Sequence, residues 1–424
     1  MTDINAYTRR RFLHDGLCLI SATATIPTFL QSSAFAMFNP AAQVKSQPGV
    51  PDDHILVVIQ LGGGNDGLNT VVPYGWDEYY RVRPSLAVPR KEVLTLGNKG
   101  AADGLGLHPS LTGFRELYDD GKLGVILGVG YPNPNRSHFK SMDIWQTADR
   151  SGKGLGWLGR YFDNTCNGSP VADAAIALGQ TAPLALHGSL TSAVTFEDAG
   201  SFRWQGRDLH EALAEPYDRF NRSGVRDGAD PDSNLGFLMR TSLDAQVVSD
   251  RVIEAVETED KAQYPQSRLA SDLKMVARMI AGGLGTKVYY VNHGSFDTHA
   301  GQAGRHARLL SQLGDAVNAF YRDLADKGES GRVLIMTFSE FGRRVGQNGS
   351  GGTDHGTAAP MFIIGDPIRP GVLGAQPSLT DLDAGDLKYN LDFRSVYAGV
   401  LEDWFKVKSG PILKGTFRKA KIIS

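Results

Sequence analysis

Along most of the chain, continuous apolar runs rich in β-branched residues alternate with stretches of helical spacing. "HILVVIQL", "LGVILGVG", "KVYYVNHG", "RVLIMTFSE" and "APMFIIG" read as strands. Unbroken apolar runs of this length suit parallel strands covered on both faces. Between them, "HPSLTGFRELYDDGK" reads as a short helix with Ser110 as N-cap candidate. "SHFKSMDIWQTADR" reads as a helix with Phe139, Met142, Ile144 and Trp145 as its apolar members. "SRLASDLKMVARMIAGG" is helical and stops at glycines. "GRHARLLSQLGDAVNAFYRDLADKG" is a long amphipathic helix, and "FRSVYAGVLEDWF" a closing one. Strands alternating with helices predict an α/β fold, with a mainly parallel central sheet sandwiched by helices and right-handed crossovers. Residues 150–265 are less regular, with Gly-rich turns and short apolar pieces, and are expected to form an insertion or cap.

The N-terminal pattern is of another kind. Arg9, Arg10 and Arg11 precede a modest apolar segment and the small-x-small site Ala34-Phe35-Ala36. This is the order of a signal peptide, and Thr8 to Leu13 resembles the twin-arginine export signal. The apolar segment from Gly16 to Leu30 is interrupted by Pro27 and falls short of the roughly 20 residues that span a bilayer. Residues 1–36 are therefore expected to be a leader, 37–52 a Pro-rich linker, and 53–424 a single α/β domain. Export would place the protein in the periplasm or outside the cell, with the twin-arginine translocase as its partner in transit and no stable membrane span.

Composition changes this picture in three places. Lys and Arg number 44 against 46 Asp and Glu, a balance that gives nucleic acid no basic surface to hold. The 50 glycines point to many tight loops on a regular scaffold, because 41% hydrophobic content is ordinary for a globular core. Cys18 lies in the leader, so the mature chain keeps Cys166 alone. It can form no internal disulfide, and iron–sulfur and four-cysteine zinc sites are excluded.

Ligands of open parallel sheets bind beyond the carboxyl ends of the strands. After the first strand comes "GGGNDG", with Asn65 and Asp66; after the second, "YPNPNRSHF", with Arg136, Ser137 and His138. "NHGSFDTH" follows the third, with His293, Asp297 and His299, and "SEFGRR" the fourth, with Glu340, Arg343 and Arg344. "GSGGTDHGT", with Asp354 and His355, stands just before the next apolar run. Each residue alone reads as a turn former, a helix cap or a packed side chain. Glu340 ends an apolar run and needs a buried partner, either Arg343 or a metal. Taken together, Asp66, Asp297, His299, Glu340, Asp354 and His355 are a candidate metal set. Mixed carboxylate and imidazole donors suit one or two divalent ions such as Zn, Mn, Mg or Ca, with more imidazole favouring Zn.

Gly62, Gly64 and Gly67 match the dinucleotide fingerprint, but "LNTVVPYGWDEYY" follows where a phosphate-facing helix is needed, and Asp66 would repel a phosphate. Ser137 is the candidate nucleophile. Its place ahead of a helix suits an oxyanion, phosphate or sulfate, and equally suits a plain N-cap. Arg136 could pair with such an anion, and His138 could act as ligand, acid/base or packed side chain. The G-x-S-x-G elbow of serine esterases is absent.

The leader, "LGGGNDGLNTVVPY", "LHPSL", "RSHFKSMDIWQT", "GSFDTH", "FSEFGRR" and "GGTDHGTA" together resemble the exported bacterial family known as domain of unknown function 1501. That family is grouped with the alkaline phosphatase and sulfatase superfamily. The resemblance implies an alkaline phosphatase-like sheet with a metal site at its strand ends. It implies Asp66, Asp297, His299, the Ser339-Glu340 pair and His355 at metal positions, and Ser137 as nucleophile. Two positions depart from the superfamily pattern. The spacing Asp297-x-His299 replaces Asp-x-x-x-His, and Ser339-Glu340 replaces an Asp-His pair, so one imidazole is missing. Asp354 and His293 are the expected substitutes. The function expected on this basis is metal-dependent hydrolysis of a phosphate or sulfate ester, small molecule or glycan. The alternative is a non-catalytic periplasmic binding or assembly protein that retains the fold.

Overall fold

The computed structural model describes residues 53–424 except 98–99, 167–172, 192, 261 and most of 201–246. The expected leader and linker lie outside the described residues. Among the described residues, nine strands form the central sheet: β1 (Ile55–Leu61), β2 (Leu123–Gly130), β3 (Ala175–Leu178), β4 (Val194–Phe196), β5 (Val288–His293), β6 (Val333–Phe338), β7 (Ala359–Ile364), β8 (Gly371–Leu373) and β9 (Leu391–Asp392). Their order is β8-β2-β7-β6-β1-β5-β3-β4, with β9 also on β2. All pairings are parallel except those of β7, which runs antiparallel between β2 and β6. The sheet is therefore mixed and mostly parallel.

Both faces are covered, which is why the strands read as unbroken apolar runs. Val57, Ile59 and Leu61 of β1 pack on one face with the helices α1 (Thr112–Asp119), α2 (Arg268–Ala281) and α3 (Gln302–Asp326). Leu56 and Val58 point the other way, toward α4 (His138–Thr147), α5 (Trp157–Thr165) and α6 (Phe393–Gly399). The long helix is amphipathic as its spacing predicts, burying Leu309, Leu310, Leu313, Val317, Phe320 and Leu324.

Three local expectations are corrected. Leu111, not Ser110, is the N-cap of α1, and the Ser110 amide donates instead to His108 Nδ1. Phe139 does not join the packed face of α4 and is 87% exposed. Part of 150–265 belongs to the main body: α5 packs in the core, and β3 and β4 extend the sheet from β5. Four- and three-residue strands are too short to announce themselves by periodicity.

β1, β2, β5 and β6 run parallel and so end at one edge. β7 is reversed, so its beginning lies at that same edge. This explains how a loop preceding a strand, rather than following one, delivers Asp354 and His355 beside the other four loops.

Candidate metal centre

The loop after β5 carries Asp297 and His299, and the loop before β7 carries Asp354 and His355. The two are pressed together. A Cβ at Gly352 would lie 2.2 Å from the His299 carbonyl carbon, so only glycine fits. Asn348 Nδ2 donates to the His299 carbonyl oxygen at 2.9 Å, and an isolated β-bridge joins Arg343 to His355. The Gly-rich loop after β1 closes in from below. Gly63 has φ +112°, and a Cβ there would stand 2.5 Å from the Asp297 amide nitrogen. Its N–H donates to Glu340 Oε1 at 2.9 Å.

Four side chains converge at this edge. His299 Nε2 lies 3.0 Å from Asp297 Oδ1, His355 Nε2 3.3 Å from the same oxygen, and the two ring nitrogens 2.9 Å from each other. His138 Nε2 stands 3.5 Å from Asp297 Oδ2. His138, Asp297 and His355 offer donor atoms all within 4.8 Å of one another; among the described residues they are the group with metal-binding spacing.

The far nitrogens of the rings fix what the near ones can do. His138 Nδ1 is 2.7 Å from Glu340 Oε1, His299 Nδ1 is 3.3 Å from Asp354 Oδ1, and His355 Nδ1 is 2.8 Å from the Arg136 carbonyl oxygen. Carboxylates and carbonyls only accept, so a proton on Nδ1 satisfies each of these contacts, and a ring in that tautomer turns its Nε2 lone pair inward. Burial holds His355 below the usual imidazole range, which favours its neutral form. Burial acts to raise the Asp297 carboxyl, but the Arg343 hydrogen bond and charge outweigh it and keep it below its ordinary value. Ring nitrogens 2.9 Å apart share a proton or a cation between them. His138 Nε2 is in addition buried without a hydrogen-bond partner. Zinc bonds of about 2.0 Å give tetrahedral edges of about 3.3 Å, close to the 3.0, 3.3 and 3.5 Å that separate His299, His355 and His138 from the Asp297 carboxylate. The donor set fits a divalent cation.

The residues expected from sequence therefore divide. Asp297, His299 and His355 come together, and His138 joins them as a candidate ligand rather than an acid/base. Glu340 and Asp354 orient imidazoles from behind. The imidazole that Glu340 grips is His138, whereas Asp354 lies against His299. His293 is buried elsewhere, with its Nε2 2.9 Å from the Leu309 carbonyl oxygen.

Asp66 stands apart from this group. It is fully buried, and its Oδ2 meets Arg83 Nη1 at 2.6 Å and the Gln302 side-chain amide. Burial pushes its carboxyl up, while the Arg83 charge and hydrogen bond, aided by His306 and Gln302, bring it below its ordinary value. The cation facing Asp66 is thus an arginine.

The arginines expected to hold an anion are engaged. Arg343 is buried and donates to the carbonyls of Gly63, Gly64, Phe296 and Thr353 and to Asp297 Oδ1. It ties three of the edge loops together, and its fully buried guanidinium is out of reach of a substrate. Arg136 pairs with Asp386, whose other oxygen is 3.8 Å from Arg344 Nε. Ser137 occupies the N-cap position of α4, but its side chain makes no capping bond. The Asn135 side chain accepts the Ser137 N–H at 2.8 Å instead. Sequence reasoning passed over Arg83, Gln302 and Thr353, which sit in ordinary surroundings and acquire their roles only through distant partners.

The chain belongs to the family described as "Protein of unknown function (DUF1501)", whose model matches residues 122–412. No curated protein matches it by sequence. Similar solved structures include the PsFucS1 sulfatase from Pseudoalteromonas sp., at 11% identity and TM-score 0.38, covering 93% of this chain and 77% of that one. The zinc complex of the C-terminal periplasmic domain of EcEptC from Escherichia coli is similar at 9% identity and TM-score 0.34, covering 75% of each chain. An alkaline phosphatase from the Antarctic bacterium TAB5 is similar at 9% identity and TM-score 0.31, covering 76% of this chain and 95% of that one.

Proposed function

We propose that this protein is an exported, metal-dependent hydrolase of phosphate or sulfate esters, acting in the periplasm or outside the cell after passage through the twin-arginine translocase. The observation that carries the reading is the convergence of three imidazoles on one carboxylate at a strand edge, with His138 Nε2 buried there and without a hydrogen-bond partner. A divalent ion there, with zinc favoured by the imidazole-rich set, supplies Lewis-acid polarisation of an ester oxygen.

Asp297, His138, His299 and His355 would hold the ion. Glu340, Asp354 and the Arg136 carbonyl keep the three rings in the tautomer that can do so. Ser137 is exposed at the head of α4, its hydroxyl uncommitted to the cap, and adjoins His138 in sequence. In the proposed reaction Ser137 Oγ attacks phosphorus or sulfur. The ester oxygen leaves as the alcohol with one proton, and water later releases phosphate or sulfate from the serine. The test is turnover of aryl phosphate and aryl sulfate esters by protein of known metal content. Ser137→Ala abolishes turnover and leaves the metal in place.

The engagement of Arg343 and Arg136 favours a second reading, a metal-holding binding or assembly protein without catalysis. Metal-loaded protein inert toward every ester offered, with Ser137→Ala indistinguishable from the parent, decides for it.

A further inference from the structure

Gln302, the first residue of α3, is completely buried and touches none of the four converging side chains. Its amide nevertheless stands between the two loops that carry three of them. Nε2 donates to Asp66 Oδ2, and Oε1 accepts Thr353 Oγ1 at 2.6 Å and Thr298 Oγ1 at 3.1 Å. Thr298 is the residue between Asp297 and His299. Thr353 immediately precedes Asp354 and His355. The backbone repeats the connection: the Gln302 N–H donates to the Gly351 carbonyl at 2.9 Å, and the Thr353 N–H to the Thr298 carbonyl at 3.3 Å.

Polarity fixes which way the amide faces. A carboxylate accepts only, so the Asp66 side must receive Nε2, and Oε1 then turns to the two hydroxyls. Asp66 is itself held by Arg83 and cannot rotate away without leaving a buried guanidinium unpaired. A site shaped this way is set by groups behind the ligands, whose loss typically lowers metal affinity about 10- to 100-fold.

We infer that Gln302 is a positioning residue: its oriented amide, locked by Asp66 and Arg83, clamps the loops of Asp297-His299 and Asp354-His355 in register for the ion. The inference rests on the metal reading given above. It also assigns the Asp66–Arg83 pair a role that does not involve touching the ion.

The test combines zinc titration with amide hydrogen exchange on the metal-free protein. Gln302→Leu is expected to weaken zinc binding about tenfold or more and to speed exchange in both loops, 297–299 and 353–355, while α4 around His138 is unchanged. Thr353→Val and Thr298→Val are milder versions that keep the amide in place. Each is expected to weaken zinc binding, whereas Thr353→Ser and Thr298→Ser restore it. The losses in Gln302→Leu and Thr353→Val should not add, because both break one clamp. A folded Gln302→Leu with parental zinc affinity, or with faster exchange in one loop alone, overturns the inference and leaves the metal reading intact. Parental protein that binds no zinc overturns both, and does so at the first titration.

Discussion

Two polar clusters, linked through Gln302, stand at one edge of the sheet and behave in opposite ways. One, around Asp297, is open: His299 is 44% exposed and Asp297 45%, and its imidazole and carboxylate donor atoms face one another. The other, around Asp66, is sealed, and both members of its ion pair are 0% exposed. The first sets three imidazoles around a carboxylate that Arg343 also holds, and the second is closed by Arg83. An acidic residue after the first strand is thus no sufficient mark of a ligand. Both carboxylates meet an arginine, and what separates the two is that three imidazoles also crowd Asp297 in an open site.

The contrast is broken most forcefully at Arg83. Arg83→Met leaves Asp66 as an uncompensated buried carboxylate and is expected to cost about 3–5 kcal/mol in urea unfolding. The double variant Asp66→Asn/Arg83→Met should recover much of that loss. A cost below about 1 kcal/mol, close to the range of ordinary surface changes, would mean that the pair is no keystone.

Acid comes next. Burial pushes His306, and likewise His108, down to about 4. Between that value and about 6.5 the unfolded chain takes up a proton on each ring that the folded chain refuses. Stability therefore falls as pH drops through this window, by up to about 2 kcal/mol per histidine at pH 5. Metal-free protein followed by thermal unfolding from pH 7 to pH 5 should show the decline, and His306→Asn should flatten it. A melting temperature that rises toward pH 5 would contradict it.

The open cluster responds on a different axis. Glu340→Gln keeps an acceptor for the His138 ring but removes the charge, and is expected to weaken zinc binding about tenfold. His355→Ala should shift metal-free stability by less than about 1 kcal/mol, because the ring is partly exposed. It should also abolish the stabilisation that a hundredfold excess of zinc over its Kd gives the parent, about 2.7 kcal/mol. Equal zinc stabilisation of parent and variant would remove His355 from the set.

The sheet and the edge where the loops meet were legible because covered parallel strands leave long apolar runs, and the polar residues ending those runs stand out against them. "SEFGRR" and "GSFDTH" are conspicuous for that reason alone. The reversal of β7 was not legible, since a buried antiparallel strand has the same composition, yet it is what carries His355 to the edge. The division of labour within the site was also hidden. Glu340 and His299 look alike as candidate ligands, and only the 2.7 Å contact of Glu340 with His138 Nδ1 shows the carboxylate serving the ring. Arg83 and Gln302 left no mark because their partners are set by packing: Gln302 meets Asp66 across 236 positions of chain.

Zinc titration of three forms, the parent, Asp297→Ala and Asp66→Asn/Arg83→Met, bears most directly on the claim that the ion belongs to the Asp297 cluster and not to Asp66. The account predicts that binding is lost in Asp297→Ala and stays within about an order of magnitude of the parent in the double variant, where the introduced asparagine still accepts from Gln302. Zinc retained by Asp297→Ala and lost from the folded double variant would contradict it.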